Sequence, residues 1–263
     1  MTNKKTIGIL TIATNQYIYY WQDLIRSYNL SIEKSLNLKF HVFTDMTDIA
    51  QNFANEMSQY NIEIHKIEHL DWPEATLFRY KIFDKFKDQL PEPILMHIDA
   101  DSLFTSNFES MLTEIQSLSD INFVMHPGYF RTRKYISWMN GNRIVILLKD
   151  LIMYIKIGGI GAWETRLESK AFVPRNKRKK YFCGAVWFGS RHEILKFCRI
   201  LGSRIEDDLS DGLIAKWHDE SHLNWYAAFN KHKYNGPEFC YDEYFPNLKN
   251  LTPAIIAVRK KSH

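Results

Sequence analysis

Ile94-Leu95-Met96-His97-Ile98-Asp99-Ala100-Asp101 decides the fold. The first five residues are short, almost wholly apolar and bounded by turn signals, which reads as a strand buried on both faces. Residues two apart at a strand end point the same way, so Asp99 and Asp101 can reach one site. Two hard oxygen ligands suit Mn²⁺ or Mg²⁺, with phosphate oxygens and water completing the octahedron. Many loops contain an Asp-x-Asp by chance. Directly after a buried strand it carries more weight, because ligands of open α/β sheets bind outside the carboxyl ends of the strands.

The residues before this stretch supply the rest of such a sheet. Ile7-Gly8-Ile9-Leu10-Thr11-Ile12-Ala13 reads as a first buried strand, and Asn15 to Ser35 as a helix. Phe40 to Asp45 is a second strand, and Asn61 to Ile67, which alternates apolar and polar, a third. Leu77 to Phe86 is a helix leading into Ile94. Strands alternating with helices predict a right-handed, mainly parallel, Rossmann-like sheet with flanking helices.

A second cluster needs another explanation. Trp217-His218-Asp219-Glu220-Ser221-His222-Leu223-Asn224 packs polar and ionisable side chains between apolar Ile214-Ala215 and aromatic Trp225-Tyr226. Burying such groups is costly unless they pair or bind something. A solvated helix start would also place Asp219 and Glu220 in a first turn, where the helix dipole favours them. A zinc-protease helix would need Glu directly after the first His, and here Glu220 is two residues on. A zinc site on His218 and His222 lacks an evident third ligand.

The octapeptide resembles the signature of glycosyltransferase family six, the blood-group A and B transferase family with its bacterial members. The order of landmarks is similar too: Val42-Phe43-Thr44-Asp45, Trp72 to Arg79, Asp99-Ala100-Asp101, His126-Pro127-Gly128-Tyr129, Tyr181-Phe182-Cys183-Gly184-Ala185, Pro237-Glu238 and a basic tail. The resemblance covers about residues 6 to 130 and 162 to 261. It implies one GT-A catalytic domain over 1–263: a nucleotide- and metal-binding part at about 6–130, an atypical insertion at 131–161, and an acceptor-binding and catalytic part at 162–263. It also implies a retaining transferase that moves galactose or N-acetylgalactosamine from a UDP-sugar to the 3-OH of a β-galactoside, whether free, fucosylated or lipid-linked.

By the same resemblance, Ile12, Ala13, Thr14 and Tyr17 hold uracil and ribose, and Arg79 reaches toward the donor sugar and Asp101. Asp99 and Asp101 are the metal ligands, Mn²⁺ first and Mg²⁺ as a substitute. Cys183, Gly184 and Ala185 line the donor sugar. Ala185 narrows that pocket toward galactose while the small Cys183 leaves room, and Phe188 stands where the family pattern usually has glycine. Glu220 is the catalytic carboxylate, either nucleophile or stabiliser of an oxocarbenium-like state. His218 and Asp219 hold the donor sugar; His126, Trp217 and Asp242 hold the acceptor. Arg259 and Lys260, released by strand-like Ile255 to Val258, are phosphate partners on a tail that closes over the nucleotide.

Two segments remain. Arg131 to Gly161 is longer than the connection the family uses before Trp163-Glu164-Thr165-Arg166, and Ile144 to Ile155 within it is apolar on most sides, broken by Lys149 and Asp150. Arg131, Arg133, Lys134 and Arg143 precede that segment; Arg175 and Lys177 to Lys180 follow it. One reading packs this helix on the core or in an oligomer interface. The other docks it on an anionic bilayer. The second is Glu206-Asp207-Asp208 to Gly212, read as a polar connection before the signature helix.

Composition bounds the partners. Hydrophobic residues at 45%, with seventeen Phe, fourteen Tyr and seven Trp, supply a sizeable core. A net charge of +4 suits an anionic nucleotide or a bilayer surface, and no motif marks a nucleic-acid binder. Three cysteines, Cys183, Cys198 and Cys240, fit a reducing compartment rather than a disulfide framework. No leader precedes Ile7 and no stretch of ~20 apolar residues occurs, so the expectation is a cytoplasmic enzyme, at most peripheral at the inner membrane face. Two other function classes compete. A haloacid-dehalogenase-type phosphatase also uses Asp-x-Asp after an apolar strand, with Asp207-Asp208 and Asp211 as its later acidic motif, but it leaves 217–224 unexplained. A non-catalytic sugar-binding module would have no use for Asp99, Asp101 and Glu220 together.

Overall fold

The computed structural model describes residues 6–30, 36–115, 118–131 and 143–258. Strands β1 (Thr6–Ile12), β2 (Asn37–Thr44), β3 (Asn61–Lys66) and β4 (Ile94–Ile98) lie parallel in the order β3-β2-β1-β4. Strand β7 (Phe182–Ser190) continues the sheet antiparallel to β4, followed by β6 (Asn122–Met125) and β8 (Lys233–Asn235). A separate two-stranded ribbon pairs β5 (Ser102–Phe104) with β9 (Ile255–Ala257). The seven-stranded, mostly parallel sheet is that of a GT-A fold.

Period-two side chains put one apolar set on each face. Ile7, Ile9, Phe40, Val42, Met96 and Ile98 face α1 (Tyr17–Leu30), whose Ile18, Trp21, Leu24 and Ile25 close that side. Leu10, Phe43, Leu95 and Trp187 face the other way, onto α4 (Arg79–Lys85), α7 (Arg191–Ser210) and α8 (His218–Phe229). Ser190 caps α7 by accepting the Glu193 N–H.

Three elements differ from expectation. The helix read over 77–86 is two pieces, α3 (Glu74–Leu77) and α4, hinged at Phe78, which ends one and starts the other. Helix α2 (Thr47–Glu56) has no counterpart in the sequence reading, because only Ala50 and Phe53 are buried and, Ile49 and Ala54 apart, the rest is polar. The polar connection at 206–210 is the last turn and a half of α7, held on the core by Leu201, Ile205 and Leu209 at helical spacing. Helix α5 (Phe108–Thr113) and helix α6 (Arg143–Ile157) complete the elements used below.

Candidate active site

The carboxyl ends of β1 and β4 open into a cavity of about 330 Å³ lined by Ile12, Thr14, Tyr17, Trp72, Asp99 and Asp101. Thr14 fixes its rim by donating to the Leu70 carbonyl at 3.0 Å. Ala13 is fully buried in the core, its N–H on the Phe43 carbonyl, and lines no part of this cavity. A second cavity, about 310 Å³, is lined by His126, Cys183, Ala185, Asp219, Glu220 and Asp242 among others. Thr76, Arg79 and Asp99 border both, so the two form adjoining halves of one cleft.

Arg79 sits at the junction and is 5% exposed. One guanidinium nitrogen, Nη1, donates to the Gly184 carbonyl at 3.0 Å and lies 3.1 Å from Asp99 Oδ1 and 2.8 Å from His97 Nε2. Its Nε stands 3.5 Å from Asp219 Oδ2. A carbonyl only accepts, so His97 Nδ1, 3.0 Å from the Leu10 oxygen, carries the ring proton and Nε2 is left to accept. Burial and the Arg79 charge keep the imidazole neutral by lowering its pKa. His97 therefore orients Arg79. It was the one polar residue inside an apolar strand, a signal the sequence reading passed over.

Helix α8 is clipped onto β7 by two contacts one helical turn apart. Asn224 accepts the Phe182 N–H through Oδ1 and donates from Nδ2 to the Phe182 carbonyl, each at 2.8 Å. Glu220 Oε2 accepts the Gly184 N–H at 3.0 Å. Spacing of four on the helix thus matches spacing of two on the strand. Gly184 permits the approach: a Cβ there would lie 3.1 Å from Asp219 Oδ2 and 3.5 Å from Glu220 Cβ.

Burial raises the Glu220 pKa to about 7, against the lowering influence of the Gly184 N–H and the Tyr181 hydroxyl. Burial likewise raises Asp219 to about 6, with Arg79 opposing. Asp219 is 6% exposed, which overturns the reading of a solvated helix start. Two acids of shifted and different pKa beside a fixed cation suit chemistry that develops positive charge nearby.

The remaining predicted residues are dispersed. His126 borders the second cavity; its Nδ1 accepts the Gly128 N–H at 3.0 Å, and burial lowers its pKa to about 4. Asp242 borders the same cavity and accepts the Tyr244 N–H. Trp217 is half exposed and His218 packs edge-on against Trp72 at 4.8 Å; neither lines the two cavities. His222 turns the other way, 3.4 Å from Asp208, so the two histidines do not converge on a metal. Arg259 and Lys260 lie outside the described residues. The segment before them is placed by Val258, whose N–H donates to the Asp101 carbonyl at 2.7 Å.

Buried carboxylates beneath the site were missed by the sequence reading. Glu164 accepts the Thr165, Arg166 and Lys216 N–H groups, which pins the approach to Trp217. Asp208 accepts from Ser169 and the Lys170 N–H and faces His222. It lines neither cavity, so a phosphatase's later acidic motif is not assembled beside Asp99. Their signal was an acidic residue beside a buried stretch, which solvated loops share. Among the described residues, one His/Glu trio has metal-like spacing: His41, Glu63 and His65. Its ring nitrogens are occupied, His41 Nδ1 on His65 Nε2 at 2.9 Å, His41 Nε2 on Glu92 at 3.0 Å and His65 Nδ1 on Gln89 at 3.1 Å. This trio is a buried hydrogen-bond network apart from the cleft.

Comparisons with known proteins converge on one group. The model of Glycosyltransferase family 6 matches residues 159–263, which includes β7, α8 and β9. The histo-blood group ABO system transferase 1 of Rattus norvegicus is 22% identical over 242 residues, 90% of this chain and 61% of its own. The globoside alpha-1,3-N-acetylgalactosaminyltransferase 1 of Gallus gallus is 22% identical over 258 residues, 97% and 66% of the two chains. The O-antigen biosynthesis glycosyltransferase WbnI of Escherichia coli is 28% identical over 228 residues, 86% and 83%. The chain thus spans just under two thirds of the length of the two animal relatives. Those alignments extend beyond the matched 159–263 segment over most of the chain, which is thus similar to members of glycosyltransferase family 6.

Proposed function

We propose that the chain is a retaining, metal-dependent glycosyltransferase that moves galactose or N-acetylgalactosamine from the UDP-sugar to the 3-OH of a β-galactoside, giving an α1,3 linkage. One observation carries this reading: the Glu220 carboxylate, held by the Gly184 N–H, borders a cavity joined through Arg79 and Asp99 to the cavity at the ends of β1 and β4. The nucleotide fits the first cavity, with Ile12, Thr14 and Tyr17 against the nucleoside. The donor sugar then lies across the junction, beside Cys183, Gly184 and Ala185, which leaves the region of His126 and Asp242 for the acceptor. The name of the chicken relative supports the 1,3-linkage and that of the bacterial one a glycan acceptor.

The donor set fits a hard divalent cation, since Asp99 and Asp101 bring carboxylate oxygens to one cavity beside the expected diphosphate. Held by those two residues, Mn²⁺ or Mg²⁺ would supply positive charge against the departing UDP. Arg79, already on Asp99 and Asp219, adds a fixed charge at the same junction. As the glycosidic bond breaks, the anomeric carbon becomes cationic, and the ionised Glu220 either attacks it or stabilises it from the face opposite the leaving group. Asp219, pinned by Arg79, holds a sugar hydroxyl. His126, neutral and anchored through Nδ1, is left to contact the acceptor through its other ring nitrogen.

We read the whole chain as one catalytic unit. Its three buried free thiols suit the reducing cytoplasm. Incubation with UDP-galactose or UDP-N-acetylgalactosamine, a cation and a panel of β-galactosides tests the proposal. Acceptor-dependent UDP release is the expected outcome. Release of inorganic phosphate from simple phosphate esters would point to the phosphatase class, and inert donors to a binding module.

A further inference from the structure

Helix α6 is amphipathic in the wrong direction for a core helix. Leu147, Leu148, Leu151, Ile152, Tyr154 and Ile155 are 47–62% exposed. At 3.6 residues per turn these six span an arc of about 160°. Among the described apolar side chains of the helix, Met153 and Ile157 turn inward: the Gly161 N–H contacts Met153 Sδ, and Ile157 packs against the Trp163 and Tyr181 cluster. The reading that packs this helix on the core therefore fails for its main apolar face.

Polar tethers hold the helix in this pose. Arg131 grips Asp150 through two contacts of 2.9 and 3.0 Å. Arg175 donates to the carbonyls of Tyr154, Ile155 and Lys156, and Arg178 to that of Ile157, closing the C-terminal end. Asp150 is the single acid in the helix, and that ion pair neutralises it. Exposed Lys149 and Lys156 flank one edge of the apolar arc. At the C-terminal end the run from Arg175 adds exposed Lys177, Lys179 and Lys180, which line a groove of about 340 Å³ with Tyr234 and His232.

We propose that the outward face of α6, with the cations at its edge and end, is a docking surface for an anionic phospholipid bilayer. An apolar arc bordered by lysines buries its side chains at the acyl boundary while the ammonium groups meet phosphate. Charge decides between this occupant and a second copy of the chain. A second copy would bring the same lysines to the seam with no acidic partner on the face, whereas an anionic surface complements them. No described helix is long and apolar enough to cross a membrane, so the contact is peripheral. The surface stands independently of the transferase reading.

Flotation of the purified chain with phosphatidylcholine vesicles, and with vesicles that also contain phosphatidylglycerol, tests this directly. Binding to the anionic vesicles, weakened at high salt, is expected. Leu148→Asp/Ile152→Asp should abolish it. Lys149→Glu/Lys156→Glu should lower the partition coefficient roughly 25-fold or more, because each lysine near an anionic surface contributes about a factor of five. Both variants should keep the wild-type thermal midpoint and UDP affinity, which separates lost docking from lost fold. Equal recovery with neutral and anionic vesicles, or with neither, overturns the proposal. So does a dimer in solution that Leu148→Asp/Ile152→Asp converts to monomer.

Discussion

Helices α8 and α6 invert the ordinary rule in opposite directions. In α8, Asp219, Ser221, His222 and Asn224 are buried, whereas in α6 six large apolar side chains face outward. The two inversions differ in cost. An unpartnered buried polar group costs about 2–7 kcal/mol, and in α8 Asn224 and Glu220 are matched by hydrogen bonds to Phe182 and Gly184, while Asp219 is offset by the Arg79 charge 3.5 Å away. An exposed leucine merely forgoes about 1.5–3 kcal/mol of burial, so α6 can keep its apolar face outward at a modest cost. Inward polarity marks a site assembled by the fold. Outward apolarity marks one completed from outside.

The comparison breaks most severely if charge at the α8 cleft proves dispensable. Exhaustive chelation should abolish transfer and Mn²⁺ should restore it, with Mg²⁺ weaker. Two carboxylates facing a diphosphate repel it unless a cation lies between them. Asp101→Asn should weaken donor binding and metal response together, with Asp99→Asn expected to act less strongly. Full turnover in the chelated enzyme would shift the whole electrostatic task to Arg79.

Next in size is Glu220→Gln, expected to cut kcat about 10²-fold or more with UDP affinity retained. In the wild type, kcat/KM should fall as pH drops through about 7, because protonation removes the carboxylate. An acid limb that survives unchanged in the Gln variant would assign that titration to another group.

Smaller again is the clip itself. Asn224→Leu leaves the Phe182 N–H and carbonyl buried without partners, a loss of roughly 2–6 kcal/mol at about 1–3 kcal/mol for each group. Gly184→Ala should spare more stability yet push Glu220 off its N–H, lowering kcat more than donor affinity. Unchanged kinetics in both variants would show that the register of α8 on β7 does not set the site.

How much of this was legible follows from the same physics. The β1–β4 half could be read because buried parallel strands are continuous apolar runs ending in a polar signal, as at Asp99. Asp219 and Glu220 could be picked out because acids beside Trp225 and Tyr226 have no cheap place in a core. His97, Glu164 and Asp208 were not read as supports, since each acts through a partner distant in sequence, Arg79 for His97, Lys216 for Glu164 and Lys170 for Asp208, contacts that no local pattern encodes. Helix α2 hid because two buried side chains make too weak a period. The direction in which α6 faces was undecidable for a related reason: an apolar helix reads alike whether a core or a bilayer covers it.

The smallest effect concerns stability. The Glu220 pKa is raised from 4.5 to about 7 on folding, so the native state binds more protons than the unfolded chain between those values. Stability therefore falls as pH rises from about 4.5 to 7, and the cost is fully present above 7. Glu220→Gln should accordingly melt a few degrees above wild type at pH 8 and match it near pH 4. Identical midpoints at pH 8 would argue that the carboxylate is well solvated and not poised for catalysis.

The central claim is that Glu220 faces the anomeric carbon of a UDP-bound sugar. Proton NMR of the product made from UDP-galactose and a β-galactoside reads this most directly, since the anomeric coupling reports the configuration of the new bond. A carboxylate opposite the leaving UDP, as nucleophile or stabiliser, predicts a new α linkage at the 3-OH with the donor configuration kept. A β-linked product would mean that the acceptor attacks from the side assigned to Glu220, and would contradict the account.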